Sequence, residues 1–135
     1  MKKSFKIFAS VIIAASVSVL TVFSSFAVEV KENKTYTWPM IDDKWSVTDI
    51  NGDPVKGWAV HNEQIYYLSN KGVMKTGWVK DGGSWYYLYN KDDADADAKL
   101  NSKNSSYKSI YGTLATNTWI DNYYVDENGI WTKTR

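Results

Sequence analysis

The sequence predicts an all-β protein, a solenoid of stacked β-hairpin repeats of about 20 residues each, with an irregular polar insertion before a clipped last hairpin. Three observations predict it. Trp38, Trp58 and Trp78 are evenly spaced, and the same interval separates Trp45, Ile65 and Trp85, Gly57 and Gly77, and Gly52 and Gly72. Each unit reads as strand, turn, strand, with aromatic residues where a pleated surface favours them. No stretch beyond Ala27 sustains the apolar period of a helix. A lone two-stranded hairpin cannot bury its apolar face, whereas stacked hairpins bury theirs between neighbours.

In chain order, residues 1–27 read as a secretory signal peptide. Lys2, Lys3 and Lys6 precede an apolar stretch from Ile7 to Val22, and Ser25 and Ala27 supply the small residues of a cleavage site. The stretch is diluted by Ser10, Ser16, Ser18 and Thr21, and it falls short of the about 20 apolar residues of a stable span. The expected mature chain starts near Val28, leaves the cytoplasm and has no integral membrane span after cleavage. A short lead, 28–36, is followed by a repeat domain, 37–135, with units 37–56, 57–76, 77–90 and 112–135 and an insertion at 91–111. In the third unit Gly77–Lys80 is a first strand, Asp81-Gly82-Gly83 the turn and Ser84–Leu88 a second strand. Alternation puts Trp85 and Tyr87 on one face and Tyr86 and Leu88 on the other. In the last unit Trp119 and Tyr123 are only half as far apart as Trp78 and Tyr86, so this hairpin is clipped and reads as a cap.

Composition narrows the function. The chain of 135 residues has no cysteine and one histidine, so disulfides and cysteine metal clusters are excluded. All four phenylalanines lie at or before Phe26, and the remainder uses seven Trp and ten Tyr. Rings that all carry a polar handle suit surfaces that keep one edge wet. Beyond Ala27 there are 13 basic and 15 acidic side chains, net −2, so no overall basic field draws nucleic acid or an anionic membrane.

The strings Gly77-Trp78-Val79-Lys80-Asp81-Gly82-Gly83-Ser84-Trp85-Tyr86-Tyr87-Leu88 and Gly72-Val73-Met74-Lys75-Thr76-Gly77-Trp78 resemble the cell-wall-binding repeats of Gram-positive bacteria, the family of choline-binding and glucan-binding modules. The resemblance covers Thr37–Tyr89 well and Gly112–Thr132 in degraded form. It implies a hairpin solenoid with sites between successive repeats and an extracellular or wall-associated life. The implied partner is a cell-wall polymer, choline-bearing teichoic acid or a glycan. It also implies an aromatic box made of the Trp of Gly-Trp, the Trp of Trp-Tyr-Tyr and a Tyr of the next repeat. A quaternary ammonium donates no hydrogen bond and is held by ring quadrupoles. The resemblance places one box at Trp38, Trp45 and Tyr67 and a second at Trp78, Trp85 and Tyr124. A weaker intermediate box uses Trp58 and Tyr87, with Ile65 where the second Trp belongs. Sugar rings would stack on the same flat faces.

The alternative for these rings is packing alone, which is favoured for Tyr66 and Tyr86. The acidic run Asp92–Asp97 reads as a solvated loop rather than a calcium site, because Ala98 and Asn104 stand where an EF-hand needs Gly and Glu. His61 reads as a surface or strand-end residue. No nucleophile motif or triad is visible. The short lead before the first unit is too small for a catalytic domain, so the expectation is a non-catalytic binding module with no cofactor and no metal. A structural or interaction protein whose rings only pack is the alternative, and a small wall hydrolase a third reading. The free rim of the last hairpin is where a second copy would associate.

Overall fold

The structure, a computed structural model, describes residues 12–13, 19–22 and 29–135, with backbone only up to residue 31. Strands β1 (Ile12–Ile13), β2 (Val19–Val22) and β3 (Glu29–Lys31) pair antiparallel in that order. Apart from the backbone of β1 and β2, the leader read at 1–27 and its cleavage point lie outside the described residues.

The repeat period becomes a series of hairpins. Strands β4 (Met40–Ile41) and β5 (Lys44–Trp45) form the first, and β6 (Gly57–His61) and β7 (Gln64–Leu68) the second. Strands β8 (Gly77–Asp81) and β9 (Ser84–Leu88) form the third. The tight turns between strands need two central positions with positive φ. Asp42 and Asp43, Asn62 and Glu63, and Gly82 and Gly83 supply them. The second and third hairpins share one register, Trp58 facing Tyr67 and Trp78 facing Tyr87.

Between hairpins a second recurring turn reverses the chain. Asp49 Oδ1 accepts from the N–H groups of Asn51 and Asp53, Ser69 Oγ from those of Lys71 and Val73, and Asp126 Oδ1 from those of Asn128 and Ile130. A glycine at positive φ follows each, at Gly52, Gly72 and Gly129. Gly72 is the most constrained, because a Cβ there would collide with the Val47 carbonyl oxygen. The chain leaving the Ser69 turn, like the chain leaving residues 91–111, bonds to its own hairpin and to the preceding one. Lys75 N–H donates to Tyr67 O and Met74 N–H to Trp45 O, and Ala115 N–H donates to Tyr87 O and Leu114 N–H to Ile65 O.

These links gather the core at the hairpin junctions. Val47, Ala59, Tyr66, Leu68 and Met74 form one buried cluster, and Val60, Val79, Tyr86, Leu88 and Leu114 the next. Tyr87, Ala115 and Val125 form a third. Tyr66 and Tyr86 are buried, as their strand face predicts.

Two expectations are corrected. The insertion is not an irregular loop throughout, so the described residues are mostly β with one short helix, α1 (Lys91–Leu100). The helix starts with a capping box: Asn90 Oδ1 accepts from Asp93 N–H at 2.9 Å, and Asp93 Oδ2 accepts from Asn90 N–H at 2.9 Å. Asp92 and Asp93 lie in its first turn and Lys99 in its last, both favourable to the helix dipole. Only Ala94 is buried, so the segment has no apolar stripe for a periodicity search to find. Gly112 N–H donates to Tyr89 O at 2.7 Å, closing the 91–111 excursion in place of the short inter-hairpin turn. The last unit is also more than a clipped hairpin. Strands β10 (Thr118–Ile120), β11 (Tyr123–Val125) and β12 (Trp131–Thr134) form a three-stranded sheet, because the Gly129 turn returns the chain along β11.

Candidate functional site

The register fixes what each aromatic ring can reach. In Tyr66-Tyr67, Tyr86-Tyr87 and Tyr123-Tyr124 the second ring pairs across its own hairpin, with Trp58, Trp78 and Trp119. The first ring meets the tryptophan of the preceding hairpin: Trp38 with Tyr66 at 5.7 Å, Trp58 with Tyr86 at 4.9 Å and Trp78 with Tyr123 at 5.6 Å. The three inter-hairpin sets therefore use Tyr66, Tyr86 and Tyr123, where the sequence reading placed Tyr67, Tyr87 and Tyr124. The two tyrosines of each pair point to opposite faces, and only one face turns to the preceding hairpin.

Trp78 from β8, Trp85 from β9, Tyr123 from β11 and Trp131 from β12 line a cavity of about 370 Å³. The planes of Trp78 and Tyr123 are 83° apart, and those of Tyr123 and Trp131 are 89° apart with centroids at 5.6 Å. Trp85, Tyr123 and Trp131 keep 38%, 40% and 39% of their surface in contact with solvent, so this is an open seat rather than filled core. Trp78 is backed by Tyr87, whose hydroxyl donates to Asp93 Oδ2 and accepts from Asn90 Nδ2, each at 2.9 Å. Burial first, and then the Asp93 carboxylate, push the Tyr87 pKa up to about 12. Helix α1 thereby braces the cage wall. Trp131 escaped the sequence reading because β12 has no alternating apolar pattern; its place just past the Asn128-Gly129 turn was the available signal. Tyr124 packs on Trp119 instead, with Lys133 Nζ 5.2 Å from its centroid.

The first set is arranged differently. Trp38 and Trp45 meet edge to face at 6.0 Å, and His61, at the end of β6, lies flat on Trp38 with centroids 4.5 Å apart and planes 13° apart. It also meets the Trp45 edge at 5.2 Å. Burial lowers the His61 pKa, opposed by the charge of Glu32. Asp81 stands one repeat period after His61 and serves the middle set, where its Oδ2 accepts from Trp58 Nε1 at 3.0 Å and its Oδ1 from the Tyr67 hydroxyl at 3.5 Å. Ile65 packs there in place of a second indole, and Tyr87 belongs with Trp78 and Tyr89 rather than with Trp58.

The acidic run is taken up by α1: Asp93 caps the helix, and Asp97 Oδ1 accepts from Asn101 Nδ2. Among the described residues no helix is long and apolar enough to cross a membrane.

A choline-binding repeat profile matches residues 55–98. Among solved structures, the choline-binding domain of Spr1274 from Streptococcus pneumoniae is 32% identical with a TM-score of 0.52, over 74% of this chain and 98% of that one. Choline binding protein F of Streptococcus pneumoniae, solved with a peptidoglycan analogue, is 28% identical with a TM-score of 0.49, over 97% of this chain. CbpJ of the same species is 26% identical with a TM-score of 0.48, over 98% of this chain. This chain spans 33% and 41% of those two proteins. No curated protein matches it. With a relative 32% identical that it spans almost completely, the chain belongs to the choline-binding repeat family.

Proposed function

We propose that the chain is a secreted, non-catalytic module whose hairpins stack as a solenoid and attach it to the bacterial envelope through choline on teichoic acid. The observation that carries this reading is the open seat of Trp78, Trp85, Tyr123 and Trp131. Rings at nearly right angles wall one open cavity, where a quaternary ammonium would be held by quadrupoles and methyl contact, each ring contributing about 0.5–2 kcal/mol. A wall glycan would use the same rings by stacking, and the two ligands are separated by titrating each. The other two sets support a packing role, since His61 covers one and Asp81 with Ile65 occupies the other. A second copy would associate through the free edge of the last sheet.

The test is titration of the full chain with choline chloride, followed by tryptophan fluorescence. A saturable change is expected in the wild type, and Trp78→Ala should weaken it at least tenfold, about 1.4 kcal/mol. Trp58→Ala should leave the affinity within about twofold, a difference of about 0.4 kcal/mol. A folded, β-rich protein whose fluorescence ignores choline would remove the proposal.

A further inference from the structure

We propose that a lysine-lined groove beside Tyr67 is an anion subsite for a phosphate group. Its assignment to the polymer whose choline sits in the cage rests on the reading above; anion binding as such does not.

The groove encloses about 650 Å³ and is bounded by Lys56, Lys71 and Lys75 together with Tyr67, Ser69 and Asn70. A neighbouring groove of about 320 Å³ shares Ser69 and Lys75 and adds Lys44. Neither lining includes a carboxylate, although acids outnumber bases beyond Ala27. Among the described residues none of the four lysines is within ion-pair distance of a carboxylate; the pair formed is Lys108 with Glu63. Asp81, which accepts from the Tyr67 hydroxyl, is also engaged by the Trp58 indole.

The fold assembles these cations from separate places. Lys44 opens β5, Lys56 precedes β6, Lys71 sits in the Ser69 turn and Lys75 on the strand-like exit from it. Lys75 Nζ is 6.0 Å from the Tyr67 centroid. Like charges around a concavity reinforce one another's field and concentrate anions there, and each ammonium keeps three donors for acceptor oxygens. A phosphodiester offers a full negative charge on two free oxygens, a match for compact ammonium groups. A polymer carrying choline on phosphate holds both charges, so rings take one and lysines the other at separate places on the module.

The test uses the full chain, with inorganic phosphate, choline chloride, purified choline-bearing teichoic acid and phosphatidylglycerol vesicles as separate probes. The variant Lys56→Ala/Lys71→Ala/Lys75→Ala alters exposed side chains only; Lys34→Ala/Lys103→Ala/Lys108→Ala is its charge-matched control. Phosphate should perturb the amide resonances of Gly57, Ser69, Asn70 and Lys71, and the groove variant should lose that response. Its teichoic acid affinity should fall roughly tenfold at low salt, a loss that closes as salt approaches about 1 M, with choline chloride affinity unchanged. If choline fails to bind while phosphate still perturbs the groove, the cage reading falls and the anion subsite stands. Phosphate perturbing amides across the whole surface, or both triple variants losing teichoic acid equally, would overturn the subsite. Vesicle binding that drops in the groove variant while teichoic acid binding persists would overturn its assignment to the polymer.

Discussion

The imidazole of His61 lies flat on the Trp38 indole and covers the face a cation would use. Removing it should uncover a second seat. His61→Ala should raise choline stoichiometry from one to two per chain by calorimetry, whereas His61→Phe, which keeps a flat ring there, should leave it at one. The tyrosines set a different dependence. Tyr86 and Tyr87 have pKa values pushed up to about 12 from 10.0, mainly by burial, with Asp81 adding at Tyr86 and Asp93 at Tyr87. The folded state therefore keeps protons that the unfolded chain releases near pH 10. This contribution to stability is complete below pH 10 and is lost as pH rises through about 12. Thermal melts should show Tm falling across that window, and Tyr87→Phe should shallow the fall.

Helix α1 is the element that depends most on single contacts, because it buries one alanine and gains little from packing. Asn90→Ala removes the cap and the bond to the Tyr87 hydroxyl, and should cost about 1 kcal/mol in urea unfolding. Near-ultraviolet circular dichroism should report a loosened Tyr87–Trp78 pair in the same variant. The cap, the early acids and Lys99 were readable as an Asn-x-x-Asp start with dipole-favourable charges, but no apolar stripe accompanied them. The hairpins were readable for the opposite reason. Their tryptophans, turn residues and glycines recur at a fixed spacing, and positive φ at the turns leaves few residue choices. Alternation separates Tyr123 from Tyr124 but does not say which face meets the preceding hairpin, so the box tyrosine was displaced by one position. Strand β12 was illegible because a short polar segment becomes a strand only once β11 is there to pair with.

At the scale of the molecule, the buried clusters lie at junctions between hairpins, so occupancy of the cage should reinforce the contact between the third hairpin and the last sheet. Choline at about 100 times its dissociation constant should stabilise the chain by about 2.7 kcal/mol. Scanning calorimetry should show the rise in Tm in the wild type and lose most of it in Trp78→Ala. The pairing of Trp38, Trp58 and Trp78 with the first tyrosine of the following unit has a consequence for growth of the array. Since a seat takes walls from two successive units, the number of potential seats is one less than the number of units, and of the three here one is open. Duplicating a single repeat would thus add one potential ligand position without disturbing those already present, and whether it opens would rest on the side chain at the far end of the incoming unit's first strand.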